Sequence, residues 1–364
     1  MIGEDVFFFY RGNARQVEWL GVFNGWQAPG LSGIQLGQTD LWMAQTSFPE
    51  DSRVEYKLLL DGANWILDPA NPNIEMSGLT FENSVLLMPG FAASYESIPR
   101  SDVEIGFISE EISIYSENLD YFVNYLVYLP VGYDSLNSLP VLYVLDGNDF
   151  TQESMGALPI VLDNMIADGR IQPLIVVFVD ARDPENTLIN RREKEFLVTP
   201  LEFSQFISEE LVPAIDQNYQ TDPSPDARTI MGSSLGGLSV IYIASTNFDV
   251  FHNVATFSPS LWVLDSPEYL SDPSYIEGSK IILEPVEAAT VCGGETGINC
   301  PRYPLNVFIT AGVPAWDVGD LSKLVETLKN QHYSVEFHQV NEGHTWSQWR
   351  GLSDEMLIYF FGVK

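Results

Sequence analysis

Hydrophobic and polar positions follow two different rhythms along this chain. Over residues 4–88 short runs at 6–10, 17–23, 41–48, 54–60 and 84–88 read as strands, rich in aromatic and β-branched residues. Asn24-Gly25, Asp61-Gly62 and the cluster from Pro69 to Pro72 supply the turns between them. That spacing predicts a small β-sandwich over residues 1–92. Residues 91–100, with Ser94, Ser97 and Pro99 and little apolar periodicity, read as a linker. Beyond it strands alternate with helices. Residues 101–116 and 121–129 alternate as strands, and Pro130-Val131-Gly132-Tyr133 breaks the second. Continuous apolar runs at 140–145 and 173–179 suit strands buried on both faces. Residues 254–257, 305–310 and 334–340 are further strands. Helical periodicity marks 200–216 and 321–329, the latter with Leu321, Leu324, Val325 and Leu328 at i, i+3, i+4, i+7. An α/β class with a mostly parallel sheet covered by helices is therefore expected over 93–364. Residues 265–304 are the least regular part of this half and suggest an insertion or lid over the carboxyl ends of the sheet.

Between the short segment ending at Arg228 and the buried helix expected from Ser239 stands Gly232-Ser233-Ser234-Leu235-Gly236. It fits G-x-S-x-G, the strand-to-helix turn that holds a serine on a strained backbone. The spacing picks Ser234 as nucleophile and Ser233 as filler; the alternative is a glycine-rich turn that only packs a helix onto a sheet. A serine nucleophile needs a base within reach and a group that orients the base. There are four histidines. His252 sits at a helix-to-strand corner, His332 ends a helix where a positive charge suits the dipole, and His338 lies within the final strand. Only His344 occupies a turn just past a strand's carboxyl end, and it lies downstream of the serine, as the order serine, acid, histidine demands.

Composition narrows the partners. Seventeen basic residues against fifty acidic ones give a net charge of −33, which should repel nucleic acid and anionic membranes. High salt, a cold marine setting or an acidic niche would each favour it. No apolar run reaches the length of a membrane span. The start at Met1-Ile2-Gly3 lacks the basic and apolar regions of a signal peptide. Cys292 and Cys300, the only two cysteines, bracket a glycine-rich loop with no histidine near, so a local zinc site is excluded. They suggest a surface disulfide and an oxidising, secreted or periplasmic compartment whose leader has been removed; two unrelated thiols in a cytoplasmic protein are the alternative. No motif implies a cofactor or a metal, and the oligomeric state is open.

Two resemblances add to this. At Gly21-Val22-Phe23-Asn24-Gly25-Trp26, Tyr56-Lys57, Asp61-Gly62-Ala63-Asn64-Trp65 and Asp68-Pro69-Ala70-Asn71-Pro72 the first 90 residues resemble the glycogen-binding, CBM48-type, early-set immunoglobulin-like module. In sugar-binding members two tryptophans, a lysine and an asparagine contact the glucan, which here implies Trp26, Trp65, Lys57 and Asn83. Aromatic faces stack on sugar rings while amide and ammonium groups bond hydroxyls. Alternatively the module only packs against the enzyme and shapes its cleft.

Val144-Leu145-Asp146-Gly147, Arg192-Glu193-Lys194-Glu195-Phe196, the turn around Ser234, Ser258-Pro259-Ser260-Leu261-Trp262 and Gly343-His344-Thr345-Trp346 follow one another as in the esterase family of enterochelin esterases, feruloyl esterases and mycolyltransferase antigens. The resemblance spans roughly 100–364. It implies an α/β-hydrolase with a Ser-His-acid triad, an acyl-enzyme, and an oxyanion hole from the backbone N–H groups of Leu235 and Asn148. Arg192 and Glu195 match the family's R-x-x-E, read first as an ion pair beside the cleft, with substrate binding by Arg192 as the alternative. The family's acid would fall at Ala315, so the acid is displaced here. Asp317 and Asp320 are the candidates; Asp320 directly precedes the helix expected from Leu321, where capping is sufficient reason for it, and that leaves Asp317. The implied activity is hydrolysis of feruloyl or acetyl esters on plant polysaccharide. A catecholate siderophore ester is the alternative, with Arg191, Arg192 and Lys194 as a local basic patch. A carbohydrate-binding protein with a vestigial esterase domain is a third reading.

Overall fold

The amino-terminal runs fold into two antiparallel sheets. The computed structural model describes every residue except 2, 78–80, 267–304, 314–317, 331–332 and 364. Its first strands are β1 (Asp5–Arg11), β2 (Val17–Gly21), β3 (Leu31–Ser32), β4 (Ile34–Gln35), β5 (Leu41–Ser47), β6 (Arg53–Leu60), β7 (Asn64–Ile66), β8 (Ile74–Met76) and β9 (Glu82–Leu87). One sheet has the order β1-β5-β4, the other β3-β2-β6-β9-β8 with β7 on β6. Phe8, Trp19, Trp42, Tyr56 and Leu58 fill the space between them, Phe8 lying 5.9 Å from Trp19 and 5.0 Å from Tyr56. Alternation predicts one wet face for β6, yet Arg53 and Glu55 on its far face are as buried as Val54 and Tyr56 on its core face. This compact unit comprises Met1–Ser94 together with Ala311–Val318 and Gln339–Gly351. The last two pieces come from the far end of the sequence.

The second unit holds Tyr95–Thr310, Gly319–His338 and Leu352–Lys364. The strands from this part of the chain are β10 (Phe107–Ile108), β11 (Ile112–Ser116), β12 (Tyr121–Leu129), β13 (Val141–Val144), β14 (Ile175–Asp180), β15 (Arg228–Ser233), β16 (Asn253–Phe257), β17 (Asn306–Gly312) and β18 (Ser334–Val340). They form one sheet ordered β10-β12-β14-β13-β15-β16-β17-β18, with β11 on β12. From β14 to β17 the pairs are parallel, and β12 is antiparallel to β14. The α-helices among the described residues are α1 (Gly147–Thr151), α2 (Leu158–Ala167), α3 (Pro200–Gln205), α4 (Val212–Asn218), α5 (Leu235–Thr246), α6 (Val318–Asn330), α7 (Trp346–Gly351) and α8 (Ser353–Phe361), of which α7 belongs to the first unit. The α/β-hydrolase arrangement, preceded by an all-β sandwich, is thus present.

Two elements differ from the sequence reading. Residues 101–116 form two short strands, not one. The helix expected over 200–216 is present as one continuous run, but its middle, Phe206–Leu211, is a π-turn between α3 and α4. Pro213 has no N–H to give to the turn before it, so the ladder widens there. The lid expected over 265–304 and the Cys292–Cys300 pair lie outside the described residues, save for a 3-10 turn at Leu261–Asp265.

Chain order fixes where chemistry can sit. From β13 the chain moves to β14 on one side and later returns to β15 on the other. The crevice of such a sheet opens at the carboxyl ends of the strands flanking that reversal. Asp146 follows β13 and Ser234 follows β15.

Candidate active site

Strand β15 is buried along its whole length and ends at a serine with φ 57 and ψ −118. An L-residue rarely holds that backbone, and the surroundings enforce it. A Cβ on Gly232 would lie 2.4 Å from the Gly236 carbonyl oxygen, and one on Gly237 would lie 2.9 Å from Thr256 Oγ1. The Ser234 N–H donates to the Phe257 carbonyl at 2.8 Å, and the Ser260 N–H donates to the Ser234 carbonyl at 3.0 Å. Ser234 Oγ stands 3.0 Å from Ser260 Oγ. Leu235 opens α5 and Asn148 lies in the first turn of α1, positions whose N–H groups a helix does not use. The turn therefore presents a hydroxyl above the edge of the sheet with unclaimed backbone donors at the carboxyl ends of both flanking strands.

Arg192 locks these two strand ends together. Its Nε donates to both oxygens of Asp146 at 2.9 Å, and its Nη2 donates to the Ser233 carbonyl at 2.9 Å. Asp146 itself holds a left-handed backbone (φ 54) just before Gly147, where a Cβ would lie 2.4 Å from the Phe178 backbone. The expected pair between Arg192 and Glu195 is not the one formed. Glu195 is fully buried beneath, accepts from the Tyr121 hydroxyl at 3.0 Å, and is pushed up to about 8 by burial. Arg191 donates to Asp183 at 2.5 Å and lies 4.0 Å over the Tyr121 ring, and the Lys194 ammonium lies 4.7 Å over the same ring. Burial likewise pushes Asp149 up to about 6, although Arg182 beside it pulls the other way.

His344 belongs to the other compact unit. Gly343 before it has φ 67, and its N–H donates to the Val313 carbonyl at 3.1 Å. A Cβ on Gly312 would fall 1.7 Å from the Gly343 oxygen, so the end of β17 and this turn cross in contact. The His344 ring packs edge-on against Trp349 at 5.1 Å. Of the other histidines, His252 stands 2.6 Å from Asp226, and His338 pairs with Glu336 at 3.2 Å while stacking on Phe308; His332 lies outside the described residues. So does Asp317. Helix α6 begins at Val318, so Asp320 is its third residue and does not precede the first turn as the sequence suggested.

The four residues matched to a sugar site do not stand alike. The rings of Trp26 and Trp65 are 6.5 Å apart, and Trp65 is exposed. The Lys57 ammonium lies 5.8 Å over Phe81. Asn83 is 5% exposed and its amide donates to Glu55 at 2.8 Å, so it is spent inside the protein. Nor does any of the four line the polar groove of about 630 Å³ between Arg15, Gln35, Asp40 and Asp61. Among the described residues no cluster of His, Cys, Asp or Glu could hold a metal, and no helix is long and apolar enough to cross a membrane.

The profile of the Esterase family matches residues 116–360, which is most of the chain. The chain belongs to the Esterase family. It is 25% identical over 285 residues to the endo-1,4-beta-xylanase/feruloyl esterase of Xylanibacter ruminicola, a match covering 76% of this chain and 38% of that protein. It is 27% identical over 239 residues to the iron(III) enterobactin esterase of Dickeya dadantii, covering 65% of this chain and 51% of that one. The chain thus spans about half or less of the length of these two relatives. Among solved structures, the enterobactin esterase of Shigella flexneri superposes with a TM-score of 0.72 at 22% identity, covering 98% of this chain and 92% of that one.

Two residues at this turn carry contacts that the motifs did not assign. Ser260, whose hydroxyl meets Ser234, sits in the Ser258-Pro259-Ser260 motif, which marked the place without a role. Asp146, the true partner of Arg192, was visible only as half of an Asp-Gly turn.

Proposed function

We propose that this esterase-family chain is a serine carboxylic-ester hydrolase acting through an acyl-enzyme. The observation that carries the reading is Ser234 held at φ 57 between β15 and α5, with the turn's backbone fixed by Arg192. Ser234 Oγ attacks the ester carbonyl, and His344 takes its proton and later returns it to the leaving alcohol. The N–H groups of Leu235 and Asn148 receive the developing oxyanion, where losing one donor typically costs about 3 kcal/mol. Asp317 orients His344, with Asp320 as the alternative.

The substrate favoured is a feruloyl or acetyl ester of plant polysaccharide, in a secreted or periplasmic setting. The relative named endo-1,4-beta-xylanase/feruloyl esterase aligns over three quarters of this chain. Charge supports it as well. The arginines that would greet a catecholate anion are neutralised locally, Arg191 by Asp183 and Arg192 by Asp146. The siderophore-ester reading stays second, supported by the relative named iron(III) enterobactin esterase, which aligns over 65% of this chain.

The test is one preparation assayed on p-nitrophenyl acetate, methyl ferulate and a catecholate triester, with Ser234→Ala beside it. The variant is expected to lose all hydrolysis while melting within about a degree of wild type, because an elbow hydroxyl adds little packing. A tenth of the rate retained by the variant would overturn the nucleophile, and turnover of the catecholate alone would reverse the order of the substrates.

A further inference from the structure

Strand β6 has two faces, and only one belongs to the sandwich core. Val54, Tyr56 and Leu58 join that core, while Arg53 and Glu55 on the opposite face are each 2% exposed. That second face carries a chain of ions. Arg53 donates to Glu55 at 2.9 Å and also to Glu75. Arg350, from the segment that bears His344, donates to Glu75 at 2.5 Å. The backbone joins in at the other end of the segment: the Arg53 N–H donates to the Asn341 carbonyl at 3.0 Å, and the Asn341 amide donates to Asp51 at 2.7 Å.

Between those two anchors lie Glu342, Gly343 and His344. A Cβ on Gly343 would stand 2.6 Å from Val22 Cβ, so the turn lies directly on the sandwich. Glu342 accepts from Ser347 Oγ at 2.7 Å; burial raises its carboxyl above the usual range, against the pull of Arg53 and Arg350. Buried ion networks are a poor route to stability, since apolar replacements of equal volume often serve as well or better. Directional donors instead specify one position for what they hold.

We propose that the β-sandwich is a positioning element for catalysis: Arg53 and Glu75 anchor the segment from Asn341 to Arg350 and so set where the His344 imidazole stands. The inference rests on the esterase reading for the role of His344 as base. Arg53, Glu75 and Arg350 are positioning residues that touch no reacting atom.

A displacement of about 1 Å at a reacting group can cost up to 10²-fold in rate, so Glu75→Gln and Arg350→Gln should each lower kcat on p-nitrophenyl acetate by about ten- to hundred-fold. KM should stay within about two-fold, because so small a substrate gains nothing from the anchor. The double variant should be no slower than the slower single one, the mark of a shared pair. Arg350→Lys, which keeps the charge and is the least disruptive to folding, should recover most of the lost rate. In parallel, the ring proton and nitrogen signals of His344 should shift in Glu75→Gln while those of His252 and His338 do not. A kcat within two-fold of wild type in both glutamine variants, or an unmoved His344 signal, overturns the proposal. If wild type turns over no ester at all, the esterase reading fails instead, and the His344 signal alone still decides whether the anchor holds the ring.

Discussion

Removing the Arg192 side chain separates two roles that the sequence left open, ion pair and substrate contact. Arg192→Ala deletes two bonds to Asp146 and one to the Ser233 carbonyl. The Asp146 side chain is only 7% exposed, so its carboxylate loses the group that compensates its burial. Breaking a buried pair from one side costs about 3–5 kcal/mol. Arg192 is itself 24% exposed, so water entering its place returns part of that. A charged bond to a carbonyl adds about 1.5 kcal/mol. The expected loss is therefore about 3 kcal/mol.

The assay is urea unfolding followed by tryptophan fluorescence, in which the midpoint should fall at constant slope. Asp146→Asn/Arg192→Ala should recover about 1–2 kcal/mol of the loss, because an amide left unpaired costs less than a carboxylate. Labelling of Ser234 by a serine-directed phosphonate should slow in the single variant, since the Ser233 carbonyl that holds the elbow is no longer tethered. If Arg192→Ala unfolds at the wild-type midpoint yet raises KM ten-fold on a feruloyl ester, the arginine serves the substrate and the ion-pair account is wrong.

Two further outcomes can be measured on the same preparations. Because Glu195 is held near 8 inside the protein while its free value is 4.5, the unfolded chain releases its proton first and wild-type stability falls as pH rises from about 4.5 to about 8. Glu195→Gln should flatten that slope, gaining on the order of 4 kcal/mol over wild type by pH 8; parallel stability curves for the two proteins would remove the claim. Trp26→Ala with Trp65→Ala should abolish retention on insoluble glucan without changing p-nitrophenyl acetate turnover if the sandwich binds sugar, and equal retention would leave the sandwich with positioning alone.

How far the sequence could be read depended on the range of each constraint. The elbow was legible because its reasons lie within one turn: the clash that forbids a side chain at Gly232 comes from Gly236. Parallel strands such as β13 and β14 announced themselves as continuous apolar runs because both faces are covered. Strand β6 was legible as a strand, but the burial of Arg53 and Glu55 on its far face was not, because charged residues in an alternating pattern carry no local sign of being covered. The helix over 200–216 was legible from its apolar pattern, while the π-turn within it depends on Pro213, which that pattern does not register. Asn83 was matched by position to sugar contacts, yet its amide is taken by Glu55 inside the protein.

Range along the chain also sets how much of the proposed machinery a sequence can indicate. A nucleophile at a strained turn needs its own pentapeptide, and the sequence carries it. One step further out, the partner of Arg192 is Asp146, 46 residues away; the motifs contain both residues but pair the arginine with its near neighbour, Glu195. Chain proximity favoured Glu195, but strand order decides. Because β13 and β15 are adjacent, with the Leu145 N–H donating to Met231 at 2.9 Å, an arginine reaching Asp146 also reaches Ser233. Further still, Glu75 and Arg350 are 275 residues apart, and no local pattern can join them. His344 was singled out by elimination among four histidines and not by what surrounds it. Its surroundings come from the opposite end of the chain: Val22 lies against the turn at Gly343 and Glu75 takes the Arg350 guanidinium, so the reading of the N-terminal module as a structural part of the enzyme, left open beside sugar binding, is the one that the proposed anchor develops.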